Sequence, residues 1–368
     1  MTEAPIILTR LLSKQDTKST NGSQASSLLP LVFFVLFEVI NRVLKEVLMR
    51  HLTRIIIVAA AIAFQSTTFA ADKVTMSSTN ITAFDLDQIV AVAKGFFARE
   101  NIEFEPTYMQ PDLVVKALLA GTVDMAKSGT HFGLIAATRG GELKVIGAST
   151  YGYAYQVIGQ PQLKTLADLK GQKIAGAGVA SITTTIFKDV MQRQGIPPSA
   201  YTILSIGGSA ERFQAVASGQ VAASLAEAPP YNFRSIDSGK KVLLNYSDEI
   251  KNLQYGSYFA SNKSLAQMRP VLVRFMRAIG QSMRWLNDPA NEKEAVRVMM
   301  ERLKIDETVA ARTFKFMVPE NRSYRGESLV DPVGLNEMIR LLAMDNLIAE
   351  KKSWETFVDG GFLPATAK

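Results

Sequence analysis

From residue 72 onward, apolar positions recur with two periods that take turns along the chain. Lys73–Ser77 alternates apolar and polar residues as a strand with one buried face does, and the polar loop Ser78–Thr82 follows. Asp85–Arg99 repeats at helical spacing and offers Ile89, Val90, Val92, Ala93 and Phe96 to a core. Ile102–Met109 alternates again, and Pro111–Ala120 presents Leu113, Val114, Ala117 and Leu118 inward. Val123–Ala126 reads as a third strand, Ser128–His131 as the start of a helix through Thr138, and Leu143–Ala148 as a fourth strand. Parallel strands need long crossovers, so this β-α-β-α-β-α-β order predicts a mainly parallel sheet covered by helices.

The pattern then starts again. Lys173–Ala175, Tyr201–Ile206, Val221–Leu225 and Lys241–Leu244 read as strands, separated by helices over Ser181–Gln194, Ser209–Ser218 and Pro229–Asp237. One landmark lays the halves over each other: Ala117–Met125 (ALLAGTVDM) parallels Ala215–Ala223 (AVASGQVAA), each a helix end, a C-cap glycine and a strand. From Met268 the chain is largely helical, with Pro270–Leu286, Glu292–Leu303, Asp306–Phe316 and Pro332–Leu347 expected to pack on the first half.

The joint at Leu166–Val190 carries the first candidate chemistry. Gly176 and Gly178 allow a sharp turn, and Ser181, Thr183 and Thr184 stand where a helix begins. Unpaired N–H groups and the positive end of the dipole make such a start an anion site, or the hydroxyls serve only to cap it. A dinucleotide fingerprint is excluded, because the third glycine is missing and no acidic residue ends the next strand.

Composition narrows the chemistry. There is no cysteine, which removes disulfides, thiolate metal sites and cysteine nucleophiles, and two histidines are too few for a histidine-based metal site. The net charge of +7 is spread out, with seven Lys/Arg against four Asp/Glu in residues 1–70, and gives no reason to invoke nucleic acid. Met49–Ala71 has a basic start at Arg50, His51 and Arg54, a ten-residue apolar run over Ile55–Phe64, and Thr68-Phe69-Ala70 before Ala71. This is the pattern of a secretory signal cleaved after Ala70. Residues 1–48 sit awkwardly before it, and translation is expected to begin at Met49.

The order of landmarks resembles the extracytoplasmic solute-binding proteins of ABC importers, in the branch serving nitrate, sulfonates, taurine and thiamine-pyrimidine precursors. The residues that carry the resemblance are Ala91–Glu105, Leu118–Gly129, Leu166–Ala175, Gly208–Val221 and Ser261–Pro289. The resemblance implies an α/β two-lobe periplasmic-binding-protein fold of type II, with two crossing segments placed near Tyr155–Gly159 and Tyr255–Ala260. Residues 72–156 and 260–368 would form lobe 1, and 157–259 lobe 2. It implies a monomeric periplasmic receptor that closes over a sulfonate, nitrate, carboxylate or related ligand. The receptor would deliver that ligand to an inner-membrane permease driven by an ATPase, with no cofactor, metal or nucleic acid. Two alternatives are an enzyme on the same fold, related to pyrimidine-precursor synthesis, and a sensory input protein. The enzyme is disfavoured because the cysteine-rich segment and paired histidines of its relatives are missing here.

Ligands of open α/β sheets lie beyond the carboxyl ends of the strands. Four loops fit: Ser77–Phe84 (with Ser77, Thr79, Asn80 and Phe84), Ser128–His131 (Ser128, Gly129, Thr130, His131), Gly178–Thr183 (Val179, Ala180, Ser181, Thr183) and Glu227–Pro230 (Glu227, Pro229), joined by Ser209. Ser128–Thr130 would offer hydroxyl and N–H donors, or simply cap a helix. His131 would meet an anion or stack on a ring, or be an ordinary surface residue. Glu227 would accept from a ligand amine, or be an exposed loop carboxylate. Tyr151, Tyr153 and Tyr155 alternate, so all three are expected on one side, as an aromatic wall of the cleft or as packing under the helices. With little positive charge in these loops, dipoles and neutral donors would have to hold an anion, and an amine-bearing ligand fits Glu227 equally well.

Overall fold

The computed structural model describes residues 34, 36–53, 70–79, 81–178, 181–348 and 352–362. The chain divides into one unit of residues 1–69 and another of 70–368. In the first, residues 36–53 are helical. The apolar run of the expected signal, Ile55–Phe64, lies outside the described residues. No described helix is long and apolar enough to cross a membrane.

The second unit holds two five-stranded sheets. In chain order the first half comprises β1 (Asp72–Ser78), α1 (Leu86–Ala93), α2 (Phe96–Arg99), β2 (Ile102–Tyr108), α3 (Pro111–Leu119), β3 (Met125–Gly129), α4 (Thr130–Thr138) and β4 (Leu143–Tyr151). The second half comprises β5 (Gln156–Gly159), β6 (Lys173–Gly176), α5 (Ile182–Arg193), β7 (Thr202–Ser205), α6 (Ser209–Ala217), β8 (Ala223–Glu227), α7 (Tyr231–Asp237), β9 (Lys241–Asn245) and α8 (Tyr246–Glu249). The chain then returns through β10 (Gln254–Ser261) and ends in α9 (Asn262–Leu286), α10 (Glu292–Leu303), α11 (Glu307–Lys315) and α12 (Pro332–Met344).

The sheet orders are β2-β1-β3-β10-β4 and β7-β6-β8-β5-β9. β1 pairs in parallel with β2 and β3, and β6 with β7 and β8. The fourth strand of each sheet runs backwards, β10 between β3 and β4, and β5 between β8 and β9. Each reversed strand has just arrived from the other lobe. The stretches expected to be the crossings are therefore mostly strand. The links themselves are residues 152–155 and 246–253, because β5 and β10 find hydrogen-bonding partners on both sides as soon as they arrive.

The repeated landmark is a repeated turn. Gly121 (φ 71°) and Gly219 (φ 77°) take the left-handed conformation that ends α3 and α6. The residues after each glycine are spent on that turn, so β3 and β8 begin two residues later than the alternation suggests. Asp124 fixes the first turn, its carboxylate accepting from the Thr75 N–H at 2.8 Å and the Thr75 hydroxyl at 2.6 Å. As a result Ser128, Gly129 and Glu227 close strands instead of opening the loops beyond them.

The C-terminal helices do not stay on the first lobe. α9 covers it, burying Leu272, Phe275, Ile279 and Met283 against a core that includes Met76, Leu86 and Phe97. α12 instead reaches both lobes, because α5 offers it a polar flank. Asp345, just beyond α12, accepts from the Thr185 hydroxyl at 2.7 Å and Lys188 at 3.0 Å, and Arg340 pairs with Asp189 at 2.9 Å.

One close approach in this packing is testable. A Cβ on Gly133 of α4 would lie 2.1 Å from the Phe259 ring on β10. Gly133→Ala is expected to cost about 1–3 kcal/mol in chemical denaturation, since a packed core pays for an added methyl in displaced side chains. An unchanged midpoint would show that α4 rides loosely on the sheet.

Candidate functional site

The carboxyl ends of β1, β3 and β4 and the first turn of α4 enclose a cavity of about 210 Å³. Thr79, Asp85, Ser128, His131 and, from the crossing links, Tyr155 and Tyr255 line it. A second cavity of about 440 Å³ shares Thr82, Phe84 and Tyr155 with the first. It reaches the loops of the other sheet through Ser209, Glu211, Pro229 and Tyr231. Together they occupy the space between the lobes, within the size range of small-molecule sites.

Aromatic rings form the common wall. Phe84 stacks on Tyr155 with centroids 5.1 Å apart, and the Tyr155 and Tyr255 hydroxyls are 3.2 Å apart. Tyr153 lies behind them, 4.6 Å from the Tyr155 ring, and its hydroxyl is buried without a hydrogen-bond partner among the described residues. Tyr151 does not join this wall. Gly152 (φ 67°) breaks the alternation, and Tyr151 turns away to donate to the Leu329 carbonyl at 2.6 Å.

Beneath the first cavity lies an ionic cluster that hydropathy patterning did not reveal. Lys127 on β3, 4% exposed, donates to Asp85 at 2.8 Å, Asp87 at 2.7 Å and the Phe84 carbonyl at 3.0 Å. An ammonium has three N–H bonds, so none is left for a ligand. Burial opposes its charge, but the two carboxylates hold it and keep its pKa above the ordinary lysine value. Asp85 also accepts from the Thr82 N–H at 2.9 Å, and Tyr258 donates to Asp87 at 2.7 Å. The one sequence signal was a lysine within the otherwise uncharged strand Met125–Gly129, downstream of the Asp85-x-Asp87 pair.

His131 is buried and lies 4.1 Å from the Phe132 ring. Burial pushes its pKa down to about 3, so the imidazole is neutral, and its Nδ1 has no partner among the described residues. The same holds for the buried Ser128 hydroxyl beside it.

In the second lobe Glu227 is fully buried, which removes the reading of an exposed loop carboxylate. Neither of its oxygens has a hydrogen-bond partner among the described residues. Burial pushes this carboxyl up to about 7, while Ser224 and Arg212, both outside bonding geometry, pull the other way. Arg212 is itself buried and donates to the Gly207 carbonyl at 2.7 Å, the Ala226 carbonyl at 2.9 Å and the Ser209 hydroxyl at 3.0 Å.

Of the candidates named from sequence, Thr79, Phe84, Ser128, Gly129, His131, Tyr155, Ser209 and Pro229 line the two cavities. Ser77, Thr130, Ser181 and Thr183 do not. Ser77 donates to the Val114 carbonyl at 2.9 Å, Thr130 meets the Ser257 hydroxyl at 2.6 Å, and Ser181 and Thr183 bond each other at 2.8 Å. Glu227 stands directly behind the lining residues Ala228 and Pro229. Asn80, Val179 and Ala180 lie outside the described residues.

Two lobes, each a mixed sheet with one reversed strand, meeting over an aromatic-walled cleft, define the periplasmic-binding-protein class of fold. The chain belongs to the family described as NMT1/THI5 like, whose model matches residues 86–292, more than half its length. Among solved structures, the alkanesulfonate-binding protein SsuA from Xanthomonas axonopodis pv. citri, bound to MOPS, is 17% identical with a TM-score of 0.64. The match covers 79% of this chain and 99% of that one. The periplasmic aliphatic sulphonate binding protein SsuA from Escherichia coli is 14% identical, with a TM-score of 0.66 over 78% of this chain and 97% of that one. The ligand binding component of an ABC-type import system from Staphylococcus aureus, with zinc bound, is 17% identical, with a TM-score of 0.65 over 79% and 97%. At these identities the likeness establishes the fold. Comparison with curated proteins gives no match. Among the described residues no group of three or more acidic or imidazole side chains could hold a metal ion.

Proposed function

We propose that this chain is the periplasmic ligand-binding component of an ABC importer, exported by the signal at residues 49–70, and not an enzyme. It closes its two lobes over a small ligand and hands it to a membrane permease driven by an ATPase. The observation that carries this reading is the wall of Phe84 and Tyr155, which belongs at once to a first-lobe cavity and to one formed with second-lobe loops. A ligand against that wall touches both lobes only when they are closed, so binding shifts the open–closed balance. The structural relatives that bind sulfonates or serve import systems support the role. Neither cavity lining contains a cysteine, and the Nδ1 of the neutral His131 has no hydrogen-bond partner among the described residues.

The test is a thermal-shift screen of small solutes followed by calorimetry on Tyr155→Ala. A true ligand at about a hundred times its Kd raises stability by about 2.7 kcal/mol. Tyr155→Ala should weaken its binding at least about tenfold, equivalent to about 1.4 kcal/mol. A ligand that binds the variant as tightly as the wild type, or that is turned over, would sink the receptor reading for this cleft.

A further inference from the structure

The charges around the cleft do not favour an anion. Asp85 and Glu211 line the two cavities, Lys127 is the one cation that does, and Asp87, Arg212 and Glu227 lie just behind. That makes four carboxylates against two cations. Lys127 is committed with all three N–H groups, and Arg212 gives three bonds to backbone and Ser209 through its terminal nitrogens, its buried Nε alone having no partner among the described residues. His131 contributes no positive charge. What lines the first cavity and has no partner among the described residues is uncharged and able to accept: the Nδ1 side of a neutral imidazole and the Ser128 hydroxyl, which can also donate. Behind the second cavity, both oxygens of Glu227 are unpartnered. The wall between the cavities is built of aromatic rings, whose faces attract cations through their quadrupole.

We propose that the ligand of this cleft is an organic cation, an amine with an apolar or aromatic body, and that Glu227 supplies its counter-charge. The body lies along Phe84, Tyr155 and Tyr255. Its N–H groups satisfy acceptors that the protein leaves bare. An inserted carboxylate or sulfonate would face the excess of carboxylates with the Lys127 ammonium fully committed and Arg212 absent from the lining of either cavity, and like charge in a desolvated cleft opposes its entry.

This inference rests on the receptor reading, and its test separates the two. Benzylamine, benzoate and benzenesulfonate share one ring and differ in charge. Calorimetry of the purified protein at pH 8 and low salt should give benzylamine an affinity at least about tenfold above either anion. Glu227→Gln should weaken benzylamine about tenfold and leave the anions unchanged. An anion binding as tightly as benzylamine, no heat from benzylamine at millimolar concentration, or full benzylamine affinity in Glu227→Gln would each overturn the proposal. If an anion binds and Tyr155→Ala abolishes that binding, the receptor reading survives and the cation does not.

Discussion

Lys127→Met is expected to destabilise the protein by about 3–5 kcal/mol, the cost of leaving one member of a buried ion cluster without its partner. Asp85 and Asp87 are 2% and 0% exposed, and both direct an oxygen at the Lys127 ammonium. Without it, two carboxylates share a desolvated space with only neutral donors, from Thr82, Gln88 and Tyr258, to hold them. Guanidinium denaturation monitored by tryptophan fluorescence checks the value. Adding Asp87→Asn to the Lys127→Met background should recover part of the loss, because an amide needs no counter-charge. A single variant within about 1 kcal/mol of wild type would mean that water already reaches the cluster, since screened pairs contribute that little.

Glu227→Gln is expected to act in the opposite direction. The ordinary carboxyl value is 4.5 and burial raises that of Glu227 to about 7. The folded protein therefore keeps this proton to higher pH than the unfolded chain does. Stability is full below about pH 4.5 and falls as pH rises through about 7, by about 3 kcal/mol for a shift of this size. Above that pH the wild type carries an ionised, unpartnered carboxylate, and glutamine removes its cost. Denaturation at a series of pH values should show the wild type losing stability between pH 5 and 8 relative to Glu227→Gln. Parallel pH profiles for the two proteins would place the Glu227 carboxylate in contact with solvent or a cation. The protein pays for this group in stability, which is the pattern expected where a buried charge serves binding instead of folding.

How legible the site was varies with the origin of each residue. Phe84, Tyr155, Ser128, Gly129 and His131 could be named because they lie at or beyond strand ends, and local alternation places strand ends in α/β sheets to within a residue or two. Lys127 and Arg212 could not. Their significance depends on what surrounds them: Lys127 meets carboxylates 40 and 42 residues away, and Arg212 meets the Ala226 carbonyl on the next strand. Ser181 and Thr183 were attractive from sequence because hydroxyls at a helix start suit an anion. In the fold they satisfy each other, and the cleft wall is built from Ser209, Pro229 and Tyr231 instead.

The sequence by itself determined the class of protein. Regular switching between periods of two and three and a half specifies alternating strands and helices. The two glycines after α3 and α6 end helices in the same way in both halves, and the repeated order specifies two lobes. Those are local properties, carried by residues a few positions apart. Only the tertiary structure decided where β5 and β10 run, that α12 ties both lobes, that Gly152 turns Tyr151 out of the wall, and that Lys127 is enclosed by two carboxylates beneath the cleft. Each of these depends on contacts between residues far apart in the chain, whose free energy exists only once burial has removed water from between them.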